Sequence, residues 1–265
     1  MIKNSQARGA TSLPSVRLLH FPISHFNEKV CWALDYKRWP HHREALVPGF
    51  HVPRVRRLTG QTKVPILQLD GRWLVGSNHI LAELERRCPA PALYPVDPKN
   101  RQRALEIQAY FDESVAPDLR RLFWSTYFDR PAACAKMALN GFSPLKRGLW
   151  RCAFPLMRPM FRRNIGLDRK AVQAARKNLG PILDRLESII GPSGYLVGNQ
   201  FSVADLAAAA VMTAIIRPSQ FPYPLPEPWP AALVDLRGSI SERAGFRWVV
   251  DIYARHRGKS AELRG

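Results

Sequence analysis

Apolar positions along this chain change their spacing twice within the first forty residues. Val16 to Phe21 is an apolar run of strand length, and Pro22, lacking an N–H for a ladder, ends it. From Phe26 the period becomes helical, with Phe26, Val30, Ala33 and Leu34 at i, i+4, i+7 and i+8 on one stripe. Trp39-Pro40 breaks that helix and His42 to Leu46 reads as a second strand. Val47-Pro48-Gly49 then turns into a short basic helix over Val52 to Leu58. Ile66–Leu69 and Arg72–Val75 are apolar runs joined by Asp70-Gly71, the dipeptide that suits a type I′ hairpin. Ser77 is expected to cap a helix through Arg87 that carries Ile80, Leu81 and Leu84. Residues 16–88 thus spell β-α-β-α-β-β-α, a small sheet that needs helices on both faces.

Prolines at 89, 91, 95 and 98 mark residues 89–98 as a linker, and beyond it the strong patterns are all helical. Asp97 caps and Pro98 suits the first turn of a helix with Ala104, Ile107, Phe111 and Val115 on one face. A second helix covers 169–190, where Gly180-Pro181 is expected to kink or divide it. Phe201 to Leu206 reads as a capping box, Ser202 reaching the N3 amide and Asp205 reaching back. The helix it opens, Val203 to Ile216, is apolar nearly all round and should be a buried axis. Pro218 to Pro230 is proline-rich coil, and a last helix spans about Ala244 to His256. The fold class is therefore α/β plus all-α, with residues 99–260 forming the helical domain.

A chain of 265 residues suits two such domains, and 46% hydrophobic residues is a globular share. No stretch is long or apolar enough to span a membrane. Residues 1–15 are polar and read as a flexible tail, not a secretion signal. Cys31, Cys88, Cys134 and Cys152 form no CxxC pair, which fits a reducing, cytoplasmic setting with thiols as ordinary core or interface residues. Neither they nor the scattered histidines have metal-ligand spacing, so no metal is expected.

Ser24 stands where the first-turn N–H groups of the first helix have no partners. Such a terminus carries roughly half a positive charge and favours an anion, and a hydroxyl there can donate to a thiolate. The plainer reading is a helix cap worth about 1 kcal/mol.

Four segments, in this order and spacing, shift that balance: Ser24-His25-Phe26-Asn27-Glu28-Lys29-Val30, Lys63-Val64-Pro65-Ile66-Leu67, Gly76-Ser77, and Tyr195-Leu196-Val197-Gly198 leading to Phe201-Ser202-Val203-Ala204-Asp205. With the helical remainder they resemble the cytosolic-type glutathione S-transferases, serine type. The resemblance implies a thioredoxin-like βαβαββα domain joined to an all-helical domain, in a homodimer with a role in detoxification. It also implies glutathione as co-substrate and a small hydrophobic electrophile. Ser24 aligns with the catalytic Ser or Cys, and Phe26 lies in the same motif as part of the glutathione site. Val64 precedes a cis proline, Pro65, and its backbone pairs with the cysteinyl part of glutathione. Lys63 is implied as partner of the glycine carboxylate. Ser77, with Gly76 before it, stands at the γ-glutamyl end, where its hydroxyl and amide clamp a carboxylate.

The departures carry information too. Many relatives have Glu, Gln or Asp at the place of Gly76, accepting the γ-glutamyl ammonium. Asp112 is the candidate to replace it. Asn27 stands where a redox relative could carry a second cysteine, so disulfide exchange through a protein thiol is not expected. Conjugation, peroxide reduction, dehalogenation and ether cleavage all run on this scaffold. Tyr110, Phe111, Phe123, Trp124, Tyr127 and Phe128 are candidates to meet the electrophile. The alternative is a non-catalytic binding or assembly module of the same fold, which Gly76 favours.

Net charge is +19, and residues 145–170 hold eight Lys or Arg against one acid. Their aromatic and aliphatic neighbours give that segment two readings, a basic cover over the electrophile pocket or a weak contact with an anionic surface. Pro155 and Pro159 are expected to interrupt its helix. No motif for specific nucleic-acid binding occurs.

Overall fold

The computed structural model describes residues 16–263; the expected tail over 1–15 lies outside the described residues. The first domain runs β1 Val16–His20, α1 His25–Tyr36, β2 His41–Ala45, α2 Val52–Thr59, β3 Ile66–Leu69, β4 Arg72–Val75 and α3 Ser77–Arg87. Its sheet has the order β2-β1-β3-β4. β1 pairs parallel with β2 (Val16 opposite His41) and antiparallel with β3, which pairs antiparallel with β4. Asp70 and Gly71 take φ of 49° and 75°, the left-handed pair that a two-residue hairpin turn of this sequence calls for. On the outer edge of β2 the C-terminal segment adds a short parallel rung, Glu262 opposite His41, with the Leu263 amide donating to the His41 carbonyl at 2.7 Å.

The helical half comprises α4 Pro98–Ala109, α5 Ala116–Tyr127, α6 Pro131–Ala138, α7 Pro144–Ile165, α8 Arg169–Ile189, α9 Val203–Ile216, α10 Ala231–Gly238 and α11 Ala244–His256. Asp97 caps α4 as expected, accepting from the Asn100 amide at 2.8 Å. Between α4 and α5 the chain widens into a π-helical turn, Tyr110–Val115, just before Pro117, which has no N–H to continue the ladder. Ala104, Ile107, Phe111 and Val115 are all buried along that continuous path.

Prolines behave differently from the sequence expectation in two helices. α8 is undivided through Gly180-Pro181, and α7 runs unbroken through Pro155 and Pro159. These prolines and the residues four before them are exposed, so water can satisfy the carbonyls left without a donor. Every residue of α9 is buried, which makes it the axis of the second domain. Ser202 accepts from the Ala204 amide at 3.3 Å, and Asp205 reaches back to the Ser202 amide at 2.9 Å.

One apolar core passes through both domains, from Val16 and Leu18 through Trp32 to Val249 and Tyr253. Trp32 of α1 stacks on Phe201 and packs against Tyr253, its ring nitrogen donating to the His256 carbonyl at 3.0 Å. Beside it lies a buried ionic network. Arg257 donates to Glu28 at 2.7 Å and to Asp35 at 2.8 Å, while Arg43 reaches the same Asp35 oxygen at 2.5 Å. The Ala261 amide and the Ser260 hydroxyl complete the Asp35 shell.

Candidate active site

Strand register brings three of the sequence-predicted segments to one end of the sheet. Leu19 lies opposite Ile66, and Ile66 opposite Val75. The loop after β1, the Val64-Pro65 segment before β3 and the Gly76-Ser77 junction after β4 therefore converge. The Gly76 amide donates to the Pro65 carbonyl at 3.4 Å, and the Val64–Pro65 peptide is cis.

Ser24 occupies the N-cap of α1 with extended backbone, φ −88° and ψ 126°. Its carbonyl accepts from the Asn27 and Glu28 amides, but its side chain makes no capping bond. The plain capping role therefore belongs to the backbone, and the half-buried hydroxyl is uncommitted. Burial, then the cations Arg120 and Lys29, pull the His25 imidazole down to about 3. His25 is thus neutral at physiological pH and sits in a positive field. Arg120 on α5 has no carboxylate partner among the described residues, and burial pulls its pKa down. Asn27 is buried with neither amide atom hydrogen-bonded, an unmet polar demand in the first turn of α1.

At the start of α3 the cap is Gly76 and Ser77 is the first helical residue, so the helix begins one position earlier than the sequence pattern suggested. The reason is conformational: Gly76 has φ +85°, a backbone that L side chains rarely adopt. Ser77 is buried, whereas Lys63 is exposed. The Lys63 backbone is held on both sides by the Gln61 amide group. Phe26 is half-buried, its ring 4.4 Å from that of His25.

Asp112 does not offer a free carboxylate to this site. Lys29 of α1 donates to both its oxygens, at 2.6 and 2.8 Å, and also to Asn78 at 2.8 Å, while Gln108 donates to the same Asn78 oxygen. Asp112 thus neutralises a fully buried ammonium whose pKa burial lowers, against the pull of that carboxylate. Asp112, paired in this way, is not a free substitute for an acid at Gly76.

Beside Ser24 opens a cavity of about 360 Å³ whose lining includes Pro22, Ile23, Arg43, Met137, Phe142 and Tyr223. It lies between the β1–α1 loop, β2, the segment after α6 and the proline-rich coil. Burial keeps the Tyr223 phenol well above its ordinary pKa, and its oxygen accepts from Arg43 at 3.4 Å. None of the six aromatics picked from the sequence lines it. Phe111, Phe123, Tyr127 and Phe128 are core, and Tyr110 and Trp124 are half-buried against it. Phe142 and Tyr223 lie outside regular helices, where periodicity gives no signal. α7 contributes no residue to the lining of this cavity. Its inner face instead clamps the β2–α2 loop: Trp150 donates to the Pro48 carbonyl at 2.9 Å. Gly49 there has φ +88°, and a Cβ on it would lie 2.6 Å from the Met157 sulfur.

Residues 18–92 match the N-terminal domain of the glutathione S-transferases, and residues 169–233 match their C-terminal domain. Among curated proteins there is no significant match. FzlA from C. crescentus is 24% identical, covering 89% of this chain and 92% of its own, with a TM-score of 0.53. A theta class glutathione S-transferase from the citrus canker pathogen Xanthomonas axonopodis pv. citri, solved with glutathione bound, is 20% identical, with 90% and 98% covered and a TM-score of 0.55. The beta-etherase LigF from Sphingobium sp. strain SYK-6 is also 20% identical, with 89% and 98% covered and a TM-score of 0.60. At these identities the likeness is one of fold. With both halves matched in their own order on that fold, the chain belongs to the glutathione S-transferase family.

Proposed function

We propose that this protein is a glutathione transferase in which Ser24 stabilises the thiolate of glutathione for attack on a small hydrophobic electrophile. The observation that carries this reading is the uncommitted Ser24 hydroxyl at the α1 N-terminus, beside both the Val64-Pro65 segment and the cavity. In this reading the Val64 backbone receives the cysteinyl part, Ser77 the γ-glutamyl carboxylate and Lys63 the glycine carboxylate. Phe26 and Gly76 flank them.

The magnitudes suffice. Half-ionising a thiol of pKa about 8.5 at pH 7 needs roughly 1.5 units, or about 2 kcal/mol. One hydrogen bond to a charged group supplies about 1.5–3 kcal/mol and a helix N-terminus up to about 1. Arg120, which after burial is the next cause of the lowered His25 pKa, adds to the same field. The cavity, with Met137, Phe142 and Tyr223 on its walls, suits an apolar electrophile of modest size. A cytoplasmic homodimer is the setting this proposal assumes.

Ser24→Ala is expected to lower turnover with an activated aryl halide at least tenfold while leaving the circular dichroism unchanged. Ser24→Cys should move activity toward disulfide exchange. An alanine variant at full rate would mean that another donor, not Ser24, holds the thiolate.

The non-catalytic assembly reading rests on one observation, the missing acid at Gly76 with Asp112 already engaged by Lys29. A missing charge-assisted bond weakens glutathione binding by about 1.5–3 kcal/mol, roughly ten- to a hundredfold. Gly76→Glu has open space for its side chain but a strained backbone. It should tighten glutathione binding by calorimetry while lowering stability by about 1–3 kcal/mol. If neither protein shows a melting shift in millimolar glutathione, the assembly reading replaces the catalytic one.

A further inference from the structure

The outer face of α7 is unusual for a helix anchored in a folded domain. Leu145, Leu149, Leu156 and Met160 are 73%, 56%, 87% and 46% exposed. At about 100° per residue they fall within about 60° of one another, on the side away from buried Trp150 and Phe154. Exposed Cys152 lies in the same stripe. A stripe of four large apolar groups along one 22-residue helix, about 33 Å long, is not the scattered exposure normal for a soluble surface.

Its surroundings are strongly basic. By the same spacing exposed Lys146 borders the stripe and Arg163 stands at its C-terminal end, while exposed Arg151 and Arg162 lie further round the helix, toward Arg158. Among the described residues none of these four has a carboxylate partner, whereas Arg158, turned inward, pairs with Asp129. Pro155 and Pro159 leave the helix intact, so leucines and cations lie along one continuous helix.

We propose that α7 is a peripheral docking ridge for an anionic lipid surface. Two features select that occupant. The charge is complementary to acidic headgroups, with Lys146 beside the stripe, Arg163 at its end and Arg151 and Arg162 further round the same exposed helix. Leucine and methionine between cations match the composition of interfacial helices. No helix among the described residues is long and apolar enough to cross a membrane, so this contact lies on the surface. The inner face of α7 stays on Pro48 and Gly49, so docking needs no unfolding.

Flotation of the full chain with vesicles of phosphatidylglycerol and phosphatidylcholine tests this. The protein should float with mixed vesicles, stay behind with phosphatidylcholine alone, and detach when salt rises from about 0.1 M to about 1 M, which shortens the screening length from about 10 Å to about 3 Å. Leu149→Asp/Leu156→Asp alters only exposed positions and should reduce partitioning at least tenfold with unchanged circular dichroism. Arg151→Glu/Arg162→Glu/Arg163→Glu should do the same. An environment-sensitive dye on Cys152, in a Cys88→Ser background, should shift to the blue with anionic vesicles only. Absence of flotation, equal flotation on neutral lipid, or undiminished binding by either variant overturns the proposal. So does light scattering that shows the leucine variant breaking up an oligomer without lipid, because a second copy would then cover the ridge.

Discussion

Replacing Arg257 with methionine is expected to destabilise the fold by about 3–5 kcal/mol, the usual loss when one partner of a buried ion pair is removed. The side chain lies just beyond α11 and meets Glu28 and Asp35 of α1, all three nearly devoid of solvent contact. Burial pushes the Glu28 carboxyl up, and the Arg257 guanidinium is the main force opposing that shift. Asp35 feels burial too, but Arg43 and Arg257 outweigh it and hold its carboxyl low. Without Arg257, Asp35 keeps Arg43 and Glu28 keeps only the Tyr253 hydroxyl at 3.4 Å. The strain therefore falls on Glu28. Glu28→Gln combined with Arg257→Met should recover part of the loss, since a neutral amide tolerates the site better than a stranded carboxylate. Denaturant titrations of the wild type, both single variants and the double would measure that coupling. A single Arg257→Met variant within about 1 kcal/mol of wild type would show that the network is not holding α1 to the end of the chain.

Acid should weaken the protein well before carboxylates titrate. Burial, with Arg43 and His41 adding to it, pulls His20 down to about 3, and His25 is at about 3 as well. His41 is drawn to about 4, mainly by burial. Its geometry agrees: Nδ1 lies 2.7 Å from the Trp39 carbonyl and Nε2 accepts from Arg43 at 2.9 Å, an arrangement only neutral imidazole can keep. An unfolded histidine titrates near 6.5, so between about pH 6.5 and 4 the unfolded chain binds more protons than the folded one. Stability is then full above about pH 6.5 and falls as pH drops toward the folded values, by about 1.4 kcal/mol per unit and per group. Asp205 acts in the opposite direction, since burial raises it to about 6 and its protonated form favours the fold as pH falls through that value. Glu28, which burial also pushes up, joins Asp205, while His51 and His256, both lowered by burial, join the other three histidines, so the balance is a net loss toward pH 4. Unfolding free energy measured at pH 7, 5.5 and 4.5 should decline steadily, and His20→Gln should flatten the slope. A curve that is level or rises toward acid would refute this account.

Much of this architecture is legible in the residues themselves, for identifiable reasons. Asp70-Gly71 selects its turn through backbone conformation, and the apolar run of α9 can only be an interior helix. Sequence reading fails where water or ions decide. Prolines in α7 and α8 look like breaks until their freed carbonyls are seen to face solvent. Asp112 looks available until Lys29, more than eighty residues earlier, is found against it. For the candidate site, the segments holding Ser24, Val64-Pro65 and Ser77 are legible as motifs through the family resemblance, because each is a short contiguous stretch. The cavity walls were not, since Phe142 and Tyr223 meet only through the packing of coil segments that have no period.

The single core described above also decides what counts as a unit of folding. Family boundaries divide the chain near its linker, but α1 is covered by α9 and α11, and its charges are answered from beyond residue 256. Severed at the linker, the first half would present Trp32, Glu28 and Asp35 to water at once, and the second half would lose the wall that α9 packs against. Heat or denaturant therefore acts on both halves together. Two matched family domains share one core, and a single cooperative unfolding transition is the expected result.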